Sequence, residues 1–143
     1  MRIYVSGPTV KSTRDTSLPA RIYRIIEKRL LDAHDVDLPV QTDSLSKLSP
    51  SEFYSHIQKK IELADGIFTL LLPDDQSTPI ESATAAQHGK PQCIMAQSFV
   101  PRLIAGLPDV IEIVPFTEDK KLEEQVLYLI DRLLGWLDPK LKR

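Results

Sequence analysis

The chain has 143 residues, 42% of them hydrophobic and 27% charged, with a formal net charge of -2. That length suits a single domain, residues 1–143, with a genuine core, and the charge balance gives no support for nonspecific binding to a nucleic acid polymer, which rests on a basic surface. The one cysteine, Cys93, excludes an intramolecular disulfide, and no apolar run approaches the ~20 residues of a membrane-spanning helix. The opening Met1-Arg2-Ile3-Tyr4-Val5 turns polar too early for a signal peptide, so a cytoplasmic location is expected.

Ile3-Tyr4-Val5 is a short apolar run closed by Gly7-Pro8, the pattern of a buried first strand. Thr9 to Ser17 is polar and reads as a loop. Pro19 suits the first turn of a helix, and Ile22, Ile25, Ile26, Arg29 and Leu30 keep helical spacing to about Ala33. Val36 to Val40 is a weak second strand, interrupted by Pro39. Ser49-Pro50-Ser51-Glu52 is a strong helix start, with Phe53, Ile57, Lys60, Ile61 and Ala64 on the expected inner face. Ile67 to Leu72 is apolar throughout, as a strand covered on both faces should be.

A polar loop, Pro73 to Pro79, leads to a small-residue helix opened by Glu81 and stopped at Gly89. Ile80, Ala83 and Ala86 suggest that this helix packs tightly on the sheet. Gln92 to Ala96 and Val110 to Val114 make the fourth and fifth strands. Glu118 to Leu137 is a closing helix with Leu122, Val126, Leu129, Ile130, Leu133 and Leu134 inward. Alternating strands and helices predict an α/β, flavodoxin-like three-layer sandwich around a five-stranded parallel sheet.

In such a sheet the loops at the strand C-terminal ends form the ligand-binding rim. Ser6 to Ser17, Thr42 to Leu48 and Pro73 to Glu81 therefore converge. Together they offer Tyr4, Ser6, Lys11, Ser12, Thr13, Arg14, Asp15, Asp43, Asp74, Asp75, Ser77 and Glu81. Hydroxyls, cations and helix N-termini suit an anionic ligand such as a phosphate, although polar loops are also the ordinary surface of any fold. Periodicity alone favours reading Glu81 as an acid placed favourably near a helix N-terminus. His34, His56 and His88 lack metal-ligand spacing. No metal or cofactor is expected. Cys93 reads as a buried small hydrophobe, and Trp136 as either a subunit contact or internal packing.

These residues together resemble the nucleoside 2-deoxyribosyltransferase-like superfamily, which includes nucleotide N-glycosidases. The family's strand ending Tyr-x-x-Gly matches Tyr4-Val5-Ser6-Gly7, and its Ala-Asp before an apolar strand matches Ala64-Asp65. Its glutamate at the head of a helix ending Gly-Lys-Pro matches Glu81 with Gly89-Lys90-Pro91, at ungapped spacing. The resemblance runs to about Ala96. It implies a small nucleotide or nucleoside substrate, with Glu81 attacking the anomeric carbon to form a covalent sugar intermediate and Tyr4 orienting the carboxylate. It also implies Ser6, Gly7, Ser12, Thr13, Arg14, Asp75 and Ser77 around the sugar and phosphate, no cofactor, and a homodimer or higher homo-oligomer.

Two departures stand out. The acid that family members carry eight residues before the Ala-Asp aspartate is here Ile57. His56, which reads first as a surface histidine, could serve if the helix were shifted slightly, and Glu52 or Tyr54 could also face the cleft. The glycine-rich approach to the glutamate is replaced by Gln76-Ser77-Thr78-Pro79-Ile80, and Pro79 has no N–H for a phosphate. The expected activity is hydrolysis of a nucleoside 5′-monophosphate, with deoxyribosyl transfer second. A catalytically weak nucleotide-binding sensor is the alternative. A receiver domain fits less well, because Ser6-Gly7-Pro8 supplies none of its acidic partners.

Overall fold

The computed structural model describes residues 1–97, 100–117 and 121–138. In chain order these form β1 (Arg2–Ser6), α1 (Leu18–Leu30), β2 (Asp35–Asp37), α2 (Asp43–Ser46), α3 (Pro50–Leu63) and β3 (Gly66–Leu71). There follow α4 (Ser77–Gln87), β4 (Gln92–Gln97), α5 (Arg102–Ala105), β5 (Val110–Phe116) and α6 (Leu122–Leu137). The strands make one parallel sheet in the order β2-β1-β3-β4-β5. The chain moves outward from β1 to β2 and then crosses back to β3. This reversal opens a crevice beyond the C-terminal ends of β1 and β3, where open α/β sheets bind ligands.

Period-two alternation divides the strands between two helical layers. Ile3 and Val5 of β1, Phe68 and Leu70 of β3, and Cys93 and Met95 of β4 pack with α1 and α6. Tyr4 and Ile67 face the other way, against Ile57 and Ile61 of α3 and Ala85 of α4. The architecture is the three-layer flavodoxin-like sandwich that the strand–helix alternation predicts. The six expected inward positions of α6 are all buried. No helix among the described residues is long and apolar enough to cross a membrane.

Local chemistry explains the boundaries. Ser17 caps α1 by accepting from Ala20 N, and Ser49 and Glu52 form a reciprocal capping box on α3. Gly89 follows α4 at φ +66°, where a side chain would be strained. Asp65 Oδ2 accepts from Arg2 N at 2.7 Å while Asp65 N donates to Arg2 O at 2.8 Å, so the Ala-Asp motif clamps the start of β1. That is the sheet end remote from the ligand rim.

The structure departs from the sequence reading in several places. Helix α4 begins at Ser77, four residues before Glu81, because Asp75 Oδ1 accepts from Ser77 N at 3.0 Å and Thr78 N at 3.3 Å. Pro79 falls in that first turn, where its missing N–H costs nothing. Ile80 is 62% exposed, and the contact with the sheet is made by Ser82, Ala85 and their neighbours instead. Strand β2 stops at Asp37, before Pro39. A single bridge from Val10 to Val40 continues the edge, with Val10 N donating to Pro39 O at 2.9 Å. Helix α1 ends at Leu30 rather than near Ala33, and β5 runs on to Phe116. Glu118 lies outside the described residues. Trp136 is partly exposed on α6.

Candidate active site

The crevice at the sheet reversal is a cleft of about 840 Å³. Its floor holds Tyr4, Gly7 and Glu81; β2 and the segment after it supply Asp37 to Thr42; α3 supplies Phe53, His56, Ile57 and Lys60. Asp75 and Ser77 close the side formed by the start of α4. Tyr4 is positioned by β1, buried in one cluster with Ile61 and Ala85, and it also lines the cleft.

Glu81 sits one turn into α4. Tyr4 Oη donates a hydrogen bond to Glu81 Oε1. Burial is the largest influence on the carboxyl and pushes its pKa up to about 7, with the negative charge of Asp75 adding to the rise. The hydroxyls of Tyr4 and Ser6 work in the opposite sense by favouring the ionised form. Ser6 Oγ is fully buried and makes no hydrogen bond of ordinary geometry, but it lies close enough to Glu81 to exert this pull. Burial first, then the adjacent Glu81, drives the Tyr4 phenol far above its usual range, so it stays a donor whatever the state of the carboxyl.

Replacing Tyr4 by Phe removes the stronger donor. The Glu81 pKa should then rise by roughly one unit above its present value, the size expected for one hydrogen bond to a charged group. A carboxyl carbon NMR titration of the two proteins reads this directly, and an unchanged midpoint would show that the phenol does not stabilise the carboxylate.

Gly7 also lines the cleft, and the backbone there runs too close to α1 for a side chain. A Cβ would overlap the Tyr23 hydroxyl, and Leu70 Cβ would lie only 3.3 Å away. Tyr23 Oη donates to Pro8 O at 2.7 Å, which fixes the turn that follows β1.

The remaining predicted residues divide. Asp75, Ser77 and His56 line the cleft with Glu81 and Tyr4, and Asp75 also caps α4. Ser12, Thr13 and Arg14 do not line it. Their loop folds back on α1, where Arg24 Nη1 donates to Thr13 O and Asp15 O, each at 2.6 Å, and Ser12 Oγ accepts from Arg14 N at 3.1 Å. Lys11, Asp43 and Asp74 are outside the lining as well. Glu52 is committed to its capping box. Tyr54, 59% exposed, accepts from Gln58 Nε2.

Sequence reasoning missed Asp37 and the orientation of Phe53 and Lys60. Phe53 was expected on an inner face but is 42% exposed, on the wall of the cleft. Asp37 could have been found as the charged residue in the otherwise apolar stretch Val36 to Val40. It is the register partner of Tyr4 across the β2–β1 pair.

Cys93 is buried, which pushes its thiol pKa up to about 12, and no cluster suited to a metal ion occurs among the described residues.

The five-stranded parallel sheet with its two helical layers is shared with solved structures of low sequence identity. The CMP N-glycosidase BcmB of Clostridium botulinum superposes with a TM-score of 0.59 at 19% identity, covering 90% of this chain and 100% of that one. A 2-deoxyribosyltransferase from the bacterium Bacillus psychrosaccharolyticus gives 0.57 at 18% identity, covering 81% and 87%. Both share the α/β fold of this chain. A protein named as a candidate quinone reductase from Klebsiella pneumoniae gives 0.56 at 12% identity, covering 95% and 85%. The shared architecture therefore fixes the fold, and chemistry has to be argued from the site. No family model and no curated protein sequence matches the chain.

Proposed function

We propose that this protein cleaves the N-glycosidic bond of a nucleoside-type substrate through Glu81. The observation that carries the reading is the Glu81 carboxylate, buried at the cleft floor and held there by the Tyr4 hydroxyl. With a pKa of about 7 it is ionised in a substantial fraction of molecules at neutral pH. Few of its lone pairs are occupied, so one oxygen remains available to attack. Attack on C1′ forms the Glu81–sugar ester as the C1′–N bond breaks and its electron pair leaves with the base. Water then attacks C1′, restoring the carboxylate and releasing the sugar, in the manner of a retaining glycosidase. A second base arriving instead of water would give transfer.

The substrate's 5′ end is the point on which the geometry favours a change from the sequence reading. The 5′-monophosphate expectation leans on Ser6, Gly7, Ser77 and the Ser12 to Arg14 segment. Gly7 and Ser77 line the cleft, while Ser12, Thr13 and Arg14, with the one cation of the set, do not. That lining carries Glu27, Asp75 and Glu81 besides the Asp37–Lys60 ion pair. A phosphate dianion is repelled by such a surface, so kcat/KM should be higher for a nucleoside than for its 5′-monophosphate. Parallel initial-rate measurements on matched pairs test this, and a clear preference for the monophosphate would refute it.

The test of the reading as a whole is chromatographic detection of free base after incubation with a panel of ribo- and deoxyribonucleosides and their monophosphates, with Glu81→Ala alongside. Base release that disappears in the variant supports it. Measurable binding with no release from any substrate would favour a sensor that uses the same cleft.

A further inference from the structure

As the C1′–N bond breaks, negative charge grows on the base, and departure is slow unless a donor or cation meets it. The acid expected on α3 for that task is Ile57, which can neither donate nor carry charge. Ile57 lines the cleft, flanked by His56 and, one turn further along the same helix face, by Lys60. Among the described residues that line the cleft, Lys60 is the only lysine or arginine.

Its ammonium is held in place. Lys60 Nζ lies 3.3 Å from Asp37 Oδ1, and Arg2 Nε fixes the other oxygen of that carboxylate at 3.0 Å. The Lys60 side chain is 32% exposed, and of its three N–H donors Asp37 takes one. Lys60 lines the cleft, and the ion pair leaves it donors for a ligand bound there. Asp37 neighbours Tyr4 in strand register, so the ion pair stands beside the residue that grips Glu81. Phe53 and Ile57 add apolar wall on the same helix face, as the flat faces of a base require.

We propose that Lys60 is a catalytic residue that meets the leaving base, its ammonium hydrogen-bonded to the base as the glycosidic bond breaks, and that Asp37 is the positioning residue that holds it there. The inference rests on the proposed glycosidic-bond cleavage. In the step, Glu81 oxygen bonds to C1′, the C1′–N electron pair passes to the base, and the base anion accepts a hydrogen bond from Lys60. The base then takes its proton from water, and Lys60 keeps its charge throughout. A partly exposed lysine–aspartate pair is often no more than a surface contact. Its position, one helical turn from the missing acid and inside the cleft, is what distinguishes this one.

Leaving-group dependence tests the role. The substrates are nucleosides of whichever base the wild-type protein releases, unsubstituted and carrying fluoro, bromo or nitro groups that stabilise the departing anion. Lys60→Met should lower kcat/KM roughly 100-fold for the unsubstituted base but less than about 5-fold for the nitro derivative, because a stable anion needs no partner. Lys60→Arg should recover most of the loss, and Asp37→Asn should steepen the dependence to an intermediate degree. Circular dichroism melts establish that each variant is folded. A uniform loss across the series, full activity in Lys60→Met, or the leaving-group signature appearing in His56→Gln instead would overturn the assignment while leaving Glu81 chemistry standing. Absence of base release from every substrate by the wild-type protein would overturn both.

Discussion

Glu81→Gln should abolish base release, by roughly 1000-fold or more, while making the protein more stable above neutral pH. The two effects share one cause. Burial holds the folded-state pKa near 7, against an ordinary value of 4.5. A carboxyl whose pKa is raised by folding contributes its full stability below its ordinary pKa, and that contribution is lost as pH rises through the folded value. By about pH 8 the ionised Glu81 therefore costs on the order of 3 kcal/mol relative to its neutral form. Glutamine removes the charge and keeps an acceptor for the Tyr4 hydroxyl. The melting temperature should rise on the order of 5–10 °C at about pH 8 and hardly change at about pH 4.5. A stability gain independent of pH would refute the buried-charge account, and an active glutamine variant would refute the nucleophile.

The elements that could be read from sequence are those whose signals are local. The unbroken apolar run of β3, the Ser-Pro-Ser-Glu start of α3 and Gly89 after α4 each follow from one stretch of chain and its hydrogen bonds. Glu81 and Tyr4 were paired by the family resemblance rather than by any local signal, and the structure joins them by a hydrogen bond between residues far apart in the chain. The start of α4 was misplaced because Asp75-Gln76-Ser77-Thr78-Pro79 has the composition of a turn, while Asp75 in fact turns it into a capped helix. The Asp37–Lys60 pair was invisible for a different reason. Lys60 falls at the spacing of an inner helical face, and only the short β2 edge, ending at Asp37, leaves that face open to the cleft. Ser12 to Arg14 failed as cleft residues because Arg24, a helix residue with no visible role in the sequence, draws their loop away.

A second large effect is expected at Gln92, the first residue of β4. Its side chain is fully buried. Its amide oxygen accepts from Thr69 Oγ1 at 2.9 Å and Ser82 Oγ at 2.8 Å, and its Nε2 donates to Ser82 O at 3.1 Å. Thr69 and Ser82 are fully buried as well, so the network ties α4 to β3 and β4 only while every member is present. Gln92→Leu strands two buried hydroxyls and should cost about 2–4 kcal/mol in urea unfolding. Adding Thr69→Val and Ser82→Ala removes the stranded groups and should restore most of that loss, since an apolar core of similar shape is nearly equivalent. Ser82 is the neighbour of Glu81, so the single variant should also loosen the carboxylate. As water enters, the Glu81 pKa should fall from about 7 toward its ordinary value. If Gln92→Leu destabilises the fold but leaves that pKa in place, the network holds the helix to the sheet without setting the reactivity of Glu81.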